Sequence, residues 1–241
     1  MGKLLDSLDS AASDFDDFFE KQRRGMGEAY RLKNEIVKET KRGLTLLKIG
    51  KLKEANEIQT RLFSLMERFE NINLPDDVRW QLNAEASQEV VEFHLVLLAF
   101  YPYVFENKEF SLGSFEPFIS MMNKSYGQTP QACLAGLIDA VSETGKMVTW
   151  FFSKGKIAKN ERRKIRERFL ELIEDAHVFL SRFEKQSDQI VNNTRRQGYG
   201  NTFRAQLSRL EHIIDGEREK LAEMVEQEET DALLRERLGV K

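Results

Sequence analysis

The stretch AEASQEVVEFHLVLLAFYPYV, residues 84–104, is apolar around nearly its whole helical circumference after Glu89. A helix that is hydrophobic on every side is one that other elements bury. We therefore predict a central helix from about Val78 to Phe100, with the rest of the chain packed around it. Pro102, which lacks an N–H and obstructs the preceding turn, is expected to break this helix.

Helical periodicity also dominates before this stretch, and no segment alternates as a β-strand would. Residues 5–48 predict one long helix, which ends at the turn IGK, 49–51, and a second helix follows to about Phe69. Asp76 or Asp77 then provides the N-cap of the central helix. The candidate core positions of the first helix are Phe15, Phe18, Phe19, Ile36, Leu44 and Leu47.

After the central helix, glycines and prolines within 103–130 predict loops around one short helix. Thr129 as N-cap and Pro130 at the first helical position predict the start of the next helix. A later helix within 157–192 carries a strong apolar stripe, formed by Phe169, Leu172, Ile173, Ala176, Phe179, Leu180 and Phe183.

The stretch RRQGYGN, 195–201, ends that helix, and a last helix is predicted over about 202–236. The pattern as a whole indicates one all-α domain over 1–241, a bundle of six or seven mostly long helices. Its charged ends, 1–12 and 230–241, are expected to fray.

Composition narrows the class of protein. The 241 residues are 41% hydrophobic and include one cysteine, Cys133, so a disulfide framework within one chain is excluded. No apolar run is long enough to span a membrane. The N-terminus lacks the basic and apolar regions of a secretory signal. We therefore expect a cytoplasmic protein without a membrane partner.

The net charge of −3 argues against a nucleic-acid partner unless the charges are segregated along the chain. Acidic residues are concentrated at 6–20 and 215–236, and the basic clusters are KQRR (21–24), KETKR (38–42), ERRKIRER (161–168) and NTRR (193–196). A positive groove within an acidic exterior is one interpretation. The other is a set of solvated helix faces with ordinary charge pairs.

Two acidic residues in the central helix need an explanation. Glu89 and Glu92 are three residues apart, a spacing that points both side chains the same way. Because an unpaired buried carboxylate costs several kcal/mol, each requires a cation, a hydrogen-bond donor or a proton. Glu85 lies on the same stripe. Pairing with lysines or arginines of neighbouring helices is the alternative to a metal site.

A second acidic pair lies in LAGLIDAVSETGK, residues 134–146. On a helical wheel one side of this helix is apolar, and the other side carries Asp139, Glu143, Lys146 and Trp150. By itself this arrangement indicates a solvent-exposed face. Together with Glu89 and Glu92, however, two helices would offer four carboxylates, an all-oxygen cage suited to Mg²⁺ or Mn²⁺.

Such ions activate water and stabilise in-line attack on a phosphodiester. Other chemistries are less favoured, because the chain has a single Glu-x-x-His, Glu174 to His177, and no glycine-rich phosphate loop. Ser142 lacks the G-x-S-x-G context of a hydrolase nucleophile. His94 is expected to be a core or interface histidine with a hydrogen-bonded partner.

Three stretches in this order resemble the translin/TRAX family, and its TRAX members most closely. They are KNEIVKETKRGLTLLKIGKLKEA (33–55), QEVVEF (88–93) and LAGLIDAVSE (134–143). The family's pattern YLxGLxDxxGExRR is matched at Leu134, Gly136, Leu137, Asp139 and Glu143. The resemblance extends from about residue 30 to about residue 215, is weakest over 101–130, and agrees with an all-helical, translin-like fold.

The resemblance implies a metal-dependent endoribonuclease that hydrolyses phosphodiester bonds of RNA. It assigns Glu89, Glu92, Asp139 and Glu143 as catalytic ligands of Mg²⁺ or Mn²⁺. It also implies that single-stranded or short duplex RNA is enclosed in a homo-oligomeric barrel, octameric in the family, or in a mixed assembly with a translin-like subunit. The candidate RNA-binding residues are Lys38, Lys41, Arg42, Lys146, Arg195, Arg196 and Arg204.

The chain departs from the family pattern at three positions. Ser142 replaces the family's glycine, and Gly145 and Lys146 replace its two arginines. We expect any loss of activity to originate there. Two other functions stay open at this point: a non-catalytic, translin-like assembly that binds RNA or single-stranded DNA, and a helical scaffold for protein partners.

Overall fold

Every element of the computed structural model is helical within the residues that it describes, which are 2–72, 74, 76–109, 130–186 and 203–238. Six helices occur there: α1 (Gly2–Lys48), α2 (Leu52–Glu70), α3 (Asp76–Leu95), α4 (Pro130–Ser153), α5 (Lys159–Ser181) and α6 (Phe203–Leu238). α3 continues through a π-helical turn, Val96–Phe100, into a final α-helical segment, Tyr101–Glu106. The predicted all-α class and number of helices are confirmed.

α3 is the central helix, as its apolar sequence predicts. It packs against α1 on one side and α4 on another, while α2 packs along α1, α5 along α4, and α6 along α5. Phe93 and Phe100 are fully buried, and one cluster of buried apolar side chains includes members of all six helices. Burying each such aromatic side chain contributes roughly 1.5–3 kcal/mol.

Close approach of α3 and α4 depends on Gly136. A Cβ atom at this position would lie 2.7 Å from Val91 Cβ and 2.8 Å from the Gln88 carbonyl oxygen. Contacts this short force side chains or whole helices apart. Gly136 therefore fixes the spacing of the two helices that carry the four candidate acids.

Gly136→Ala should lower the free energy of unfolding by about 1–3 kcal/mol, the usual range for overpacking a closely packed interior. Chemical denaturation followed by circular dichroism measures this change. Gly27→Ala is the matched control, because a Cβ atom there meets no atom within 4 Å. A Gly136→Ala protein as stable as the wild type would show that the two helices are free to separate.

The break predicted at Pro102 is wrong. The helix widens into the π-helical turn instead, where the Tyr101 N–H donates to the Val96 carbonyl oxygen. Pro102 then lies in the first turn of the following α-helical segment, where its missing N–H is tolerated. The helical segment consequently continues to Glu106.

Within α1, Ile36, Leu44 and Leu47 are buried as predicted, but Phe19 is 61% exposed and is not a core residue. Phe15 and Phe18 lie outside the residues whose side chains are described. Five members of the predicted α5 stripe are buried and two are partly buried, which confirms it. The predicted loop region is described only to 109, and Thr129 lies outside the described residues.

The last helix agrees with its predicted limits to within two residues. Both ends that were expected to fray are helical as far as they are described, since α1 starts at Gly2 and α6 continues to Leu238. No described helix combines the length and the apolar composition needed to span a membrane.

Candidate active site

The four candidate acids line one cavity of about 430 Å³, although they come from two helices and two separate stretches of sequence. α3 supplies Glu89 and Glu92, and α4 supplies Asp139 and Glu143. α1 completes the cavity with Lys41, Leu44, Thr45 and Lys48, and α4 adds Ser142 and Lys146. Seven ionisable side chains therefore share one small volume.

The solvent-exposed face that the helical wheel of α4 indicates by itself for Asp139 and Glu143 is not what the structure shows. Glu143 is only 7% exposed, and Asp139 is half-buried. The C-terminal part of α1 lies beside this face, and its Lys48 forms an ion pair with Glu143. A helical wheel of α4 alone shows which side is apolar but cannot show that another helix covers the polar side.

Crowding of these acids disfavours their ionised forms. Burial, followed by the charges of Asp139 and the other two acids, raises the pKa of Glu92 to about 8. Burial also raises the pKa of Glu89, against the attraction of Lys41. The pKa of Asp139 is raised by burial too, although a hydrogen bond from Gln88 opposes the change. A cation within the cavity would relieve this repulsion.

Glu143 differs from the other three because two lysines already neutralise it. The Lys146 ammonium lies 2.9 Å from Glu143 Oε2, and Lys48 contacts the other carboxylate oxygen. Burial alone would raise the pKa of Glu143, but the hydrogen bonds from Lys48 and Lys146 lower it. Asp139 is oriented by Gln88, whose Nε2 donates to Asp139 Oδ2 at 2.6 Å.

The raised pKa of Glu92 predicts a pH-dependent stability. Between pH 4.5 and 8 the unfolded chain releases this proton while the folded chain retains it, so stability falls as the pH rises through that window. The decrease amounts to about 5 kcal/mol at most, since each pH unit between the unfolded and folded pKa values corresponds to about 1.4 kcal/mol. In EDTA, Glu92→Gln should therefore unfold at a higher temperature than the wild type at pH 8.5 and at the same temperature near pH 4.5.

Differential scanning calorimetry across this pH range tests the prediction. Glu57→Gln, at an exposed position of α2, is the control and should follow the wild-type curve. Equal differences between Glu92→Gln and the wild type at both pH values would show that the carboxyl group of Glu92 keeps its ordinary pKa.

The donor set fits a hard divalent ion, because all four side chains offer carboxylate oxygens. As the side chains stand, however, no three or more acidic, histidine or cysteine side chains of the described residues are grouped closely enough to hold one ion. Lys48 and Lys146 provide the positive charge at Glu143 instead. Binding of a metal ion thus requires carboxylate rotation and a weaker hold of the lysines on Glu143.

Only some of the predicted RNA-binding residues lie at this cavity. Lys41 and Lys146 line it, and both are exposed to solvent. Lys38 and Arg42 do not line it, and Arg42 pairs with Glu39. Arg204 is engaged elsewhere with Glu184, 3.1 Å away, and Arg195 and Arg196 lie outside the described residues.

Lys48 and Thr45 are cavity residues that the sequence interpretation missed. Their spacing from Lys41, four residues to Thr45 and seven to Lys48, places all three on one face of α1. That periodicity could have predicted them, because it marks a polar stripe on a helix whose other side is buried in the core.

The alternative of structural ion pairs holds for Glu85, whose Oε2 lies 2.5 Å from Lys33 Nζ. It also describes Glu143, but neither Glu89 nor Glu92 forms an ion pair with another described residue. His94 is a core residue as predicted: it is fully buried, and its Nδ1 lies 2.8 Å from the Val90 carbonyl oxygen.

Two of the departures from the family pattern have a structural explanation. A Cβ atom at Gly145 would lie 2.8 Å from Phe169 Cζ, so the Phe169 ring occupies the space that a side chain at 145 would need. Lys146 retains a positive charge and uses it to pair with Glu143. Ser142 lines the cavity, and nothing in the structure explains why a serine stands there in place of glycine.

Comparison with known proteins adds no identification. No protein-family model, no curated protein and no solved structure matches the chain. The functional interpretation therefore depends on the residues and geometry of the cavity and on the sequence resemblance described above.

Proposed function

We propose that this chain is an RNA-binding, divalent-metal-dependent endoribonuclease that hydrolyses phosphodiester bonds. Glu89, Glu92, Asp139 and Glu143 would hold Mg²⁺ or Mn²⁺. The observation that carries the proposal is the convergence of these four acids on one cavity. The resemblance of the same four positions to the translin/TRAX family supports the same assignment.

The residues of the cavity have separable roles in this proposal. When bound, the ion would activate water and stabilise the charge that develops on the phosphate. Glu89 and Glu92, which have no ion-pair partner among the described residues, would bind the ion through their ionised carboxylates. Lys41, at an exposed position of the wall, would attract the RNA phosphates towards the acids.

Lys48 and Lys146, which pair with Glu143 in this structure, would have a second role in RNA binding. If Glu143 served as a metal ligand, both ammonium groups would be available to donate to phosphate oxygens. The proposal also includes the enclosure of RNA in a homo-oligomer, octameric by the resemblance. Light scattering of the purified chain tests that part independently.

A non-catalytic RNA-binding assembly is the second candidate, and the ion pairs of Glu143 favour it. A carboxylate neutralised by two ammonium groups resembles a structural site. Glu89 and Glu92 favour catalysis instead, because half-buried acids without an ion pair in the described part of the chain stabilise no scaffold.

Incubation of labelled RNA with the chain in Mg²⁺, Mn²⁺ or EDTA separates the two candidates. We expect cleavage products with either metal and none in EDTA, while RNA binding persists in all three. Binding without metal-dependent products would favour the non-catalytic assembly. Absence of RNA binding at every salt concentration would contradict both candidate functions. Phosphate contacts are strongest at low ionic strength, so binding should be detectable there.

A further inference from the structure

A second cavity adjoins the acidic one. It has a volume of about 530 Å³, lies between α4, α5 and α6, and shares Ser142 and Lys146 with the first cavity. Its size is within the roughly 300–1,000 Å³ of small-molecule sites. Val141, Phe169 and Ile213 contribute apolar surface to its wall. An apolar recess thus opens directly beside the acids.

Trp150 is the aromatic side chain best placed to receive a ligand in this cavity. Its ring is half-buried and packs edge-on against Phe151, with a centroid separation of 5.3 Å, and it also lines the cavity. The Lys156 ammonium lies 5.6 Å from the ring centroid, a cation–π contact that covers one face of the ring.

The order of side chains along α4 relates this cavity to the acidic cavity. Asp139, Glu143, Lys146 and Trp150 follow one another on one helix face, so the acids, a cation and a flat aromatic ring succeed each other. At a rise of 1.5 Å per residue, Glu143 and Trp150 are about 10 Å apart along the axis. A nucleotide whose phosphate lies near Lys146 can therefore direct its base towards Trp150.

We propose that the second cavity is a nucleobase-binding subsite in which an unpaired base of single-stranded RNA stacks on Trp150. This inference rests on the proposed function and concerns how an unpaired base is held beside the acids. A base within a duplex is already stacked and paired, so it can enter the cavity only at the cost of leaving the helix. Lys146, shared by both cavities, holds the phosphate between the base and the acids.

Trp150 is also a spectroscopic probe, because the chain has only one other tryptophan, Trp80. In a Trp80→Phe background, with EDTA present to prevent cleavage, single-stranded RNA should quench the Trp150 fluorescence. A duplex of the same sequence should not, and neither should an oligonucleotide of equal length that carries abasic sugars. Quenching by the abasic strand equal to that by RNA would overturn the proposal.

Affinity measurements with the same strands complete the test. Trp150→Ala should weaken the binding of single-stranded RNA on the order of tenfold, the effect of losing one stacked base. Trp150→Phe should retain most of the affinity, and Phe63→Ala, an exposed aromatic of α2 outside both cavities, should retain all of it. Affinity for the abasic strand should be the same in all three variants.

Failure of this inference is distinguishable from failure of the proposed function. Metal-dependent cleavage by the wild type, combined with unchanged RNA affinity in Trp150→Ala, would overturn the subsite and leave the nuclease proposal standing. Equal loss of affinity for the RNA and the abasic strand in Trp150→Ala would also overturn it, since that loss reflects structure. Base-dependent binding through Trp150 without cleavage would support the subsite and contradict the nuclease proposal. If Trp150→Ala does not fold, the quenching of Trp150 fluorescence by the three strands decides.

Discussion

Replacing Glu92 by Gln, or Asp139 by Asn, should reduce the rate of RNA cleavage about a thousandfold, the magnitude expected when stabilisation of developing charge is lost. Both changes keep the shape of the side chain and remove its negative charge. Both residues line the acidic cavity, from α3 and α4 respectively. Single-turnover cleavage of labelled RNA in Mg²⁺ or Mn²⁺ gives the rate.

The structure predicts that these variants still fold and still bind RNA. An asparagine at 139 can accept the hydrogen bond that Gln88 donates to Asp139. Glutamine at 92 removes a carboxyl group whose ionised form burial disfavours. Circular dichroism and RNA affinity in EDTA should therefore match the wild type, so that lost cleavage reports on chemistry.

Glu85→Gln is the matched control for this experiment. Glu85 lies on the same helix and on the same predicted stripe, but it pairs with Lys33 and does not line the cavity. Cleavage by this variant should be close to that of the wild type. Unchanged cleavage in Glu92→Gln or Asp139→Asn would instead refute the assignment of these acids.

Local periodicity was enough to predict α3 as a buried helix and to place Glu89 and Glu92 on one stripe of it. Such a prediction succeeds because the hydrophobic pattern of one helix depends only on whether neighbours cover it. The π-helical turn before Pro102 could not be predicted in this way. Whether a proline ends a helix or widens the preceding turn depends on the packing of the residues around it.

The burial of Asp139 and Glu143 could not be predicted from the sequence of α4 alone. Lys48 of α1 pairs with Glu143, and Gln88 of α3 donates to Asp139, so the signals for this environment lie in other helices, one of them about ninety residues away. The close contact of Gly136 with α3 could not be predicted either, because a glycine within a helical sequence does not indicate which residues pack against it. Which helices pack together depends on the tertiary fold, and the periodicity of a single helix does not reveal it.

Replacing Lys48 by Met should tighten the binding of Mn²⁺ to the chain about tenfold, which corresponds to about 1.4 kcal/mol. Lys48 and Lys146 both neutralise Glu143, and a metal ion must compete with them for its carboxylate. A hydrogen bond between charged groups contributes about 1.5–3 kcal/mol, so the loss of one competitor leaves the ion less to displace. Methionine preserves much of the apolar stem of lysine.

The same variant should be less stable than the wild type when no metal is present. Glu143 is buried, and one ammonium group compensates its charge less completely than two. Mn²⁺ should then raise the unfolding temperature more for Lys48→Met than for the wild type, because a ligand stabilises the folded state according to its affinity. Calorimetric titration and thermal unfolding, both without RNA, measure the two effects.

Two controls separate competition from a general change in charge. Lys48→Arg keeps a positive partner for Glu143 and should bind Mn²⁺ as the wild type does. Lys38→Met removes an exposed charge from the same helix outside the cavity and should also leave the affinity unchanged. Weaker or unchanged Mn²⁺ binding by Lys48→Met would mean that its ammonium group does not stand in for a metal ion, and the four acids would then form a structural charge cluster closed by lysines.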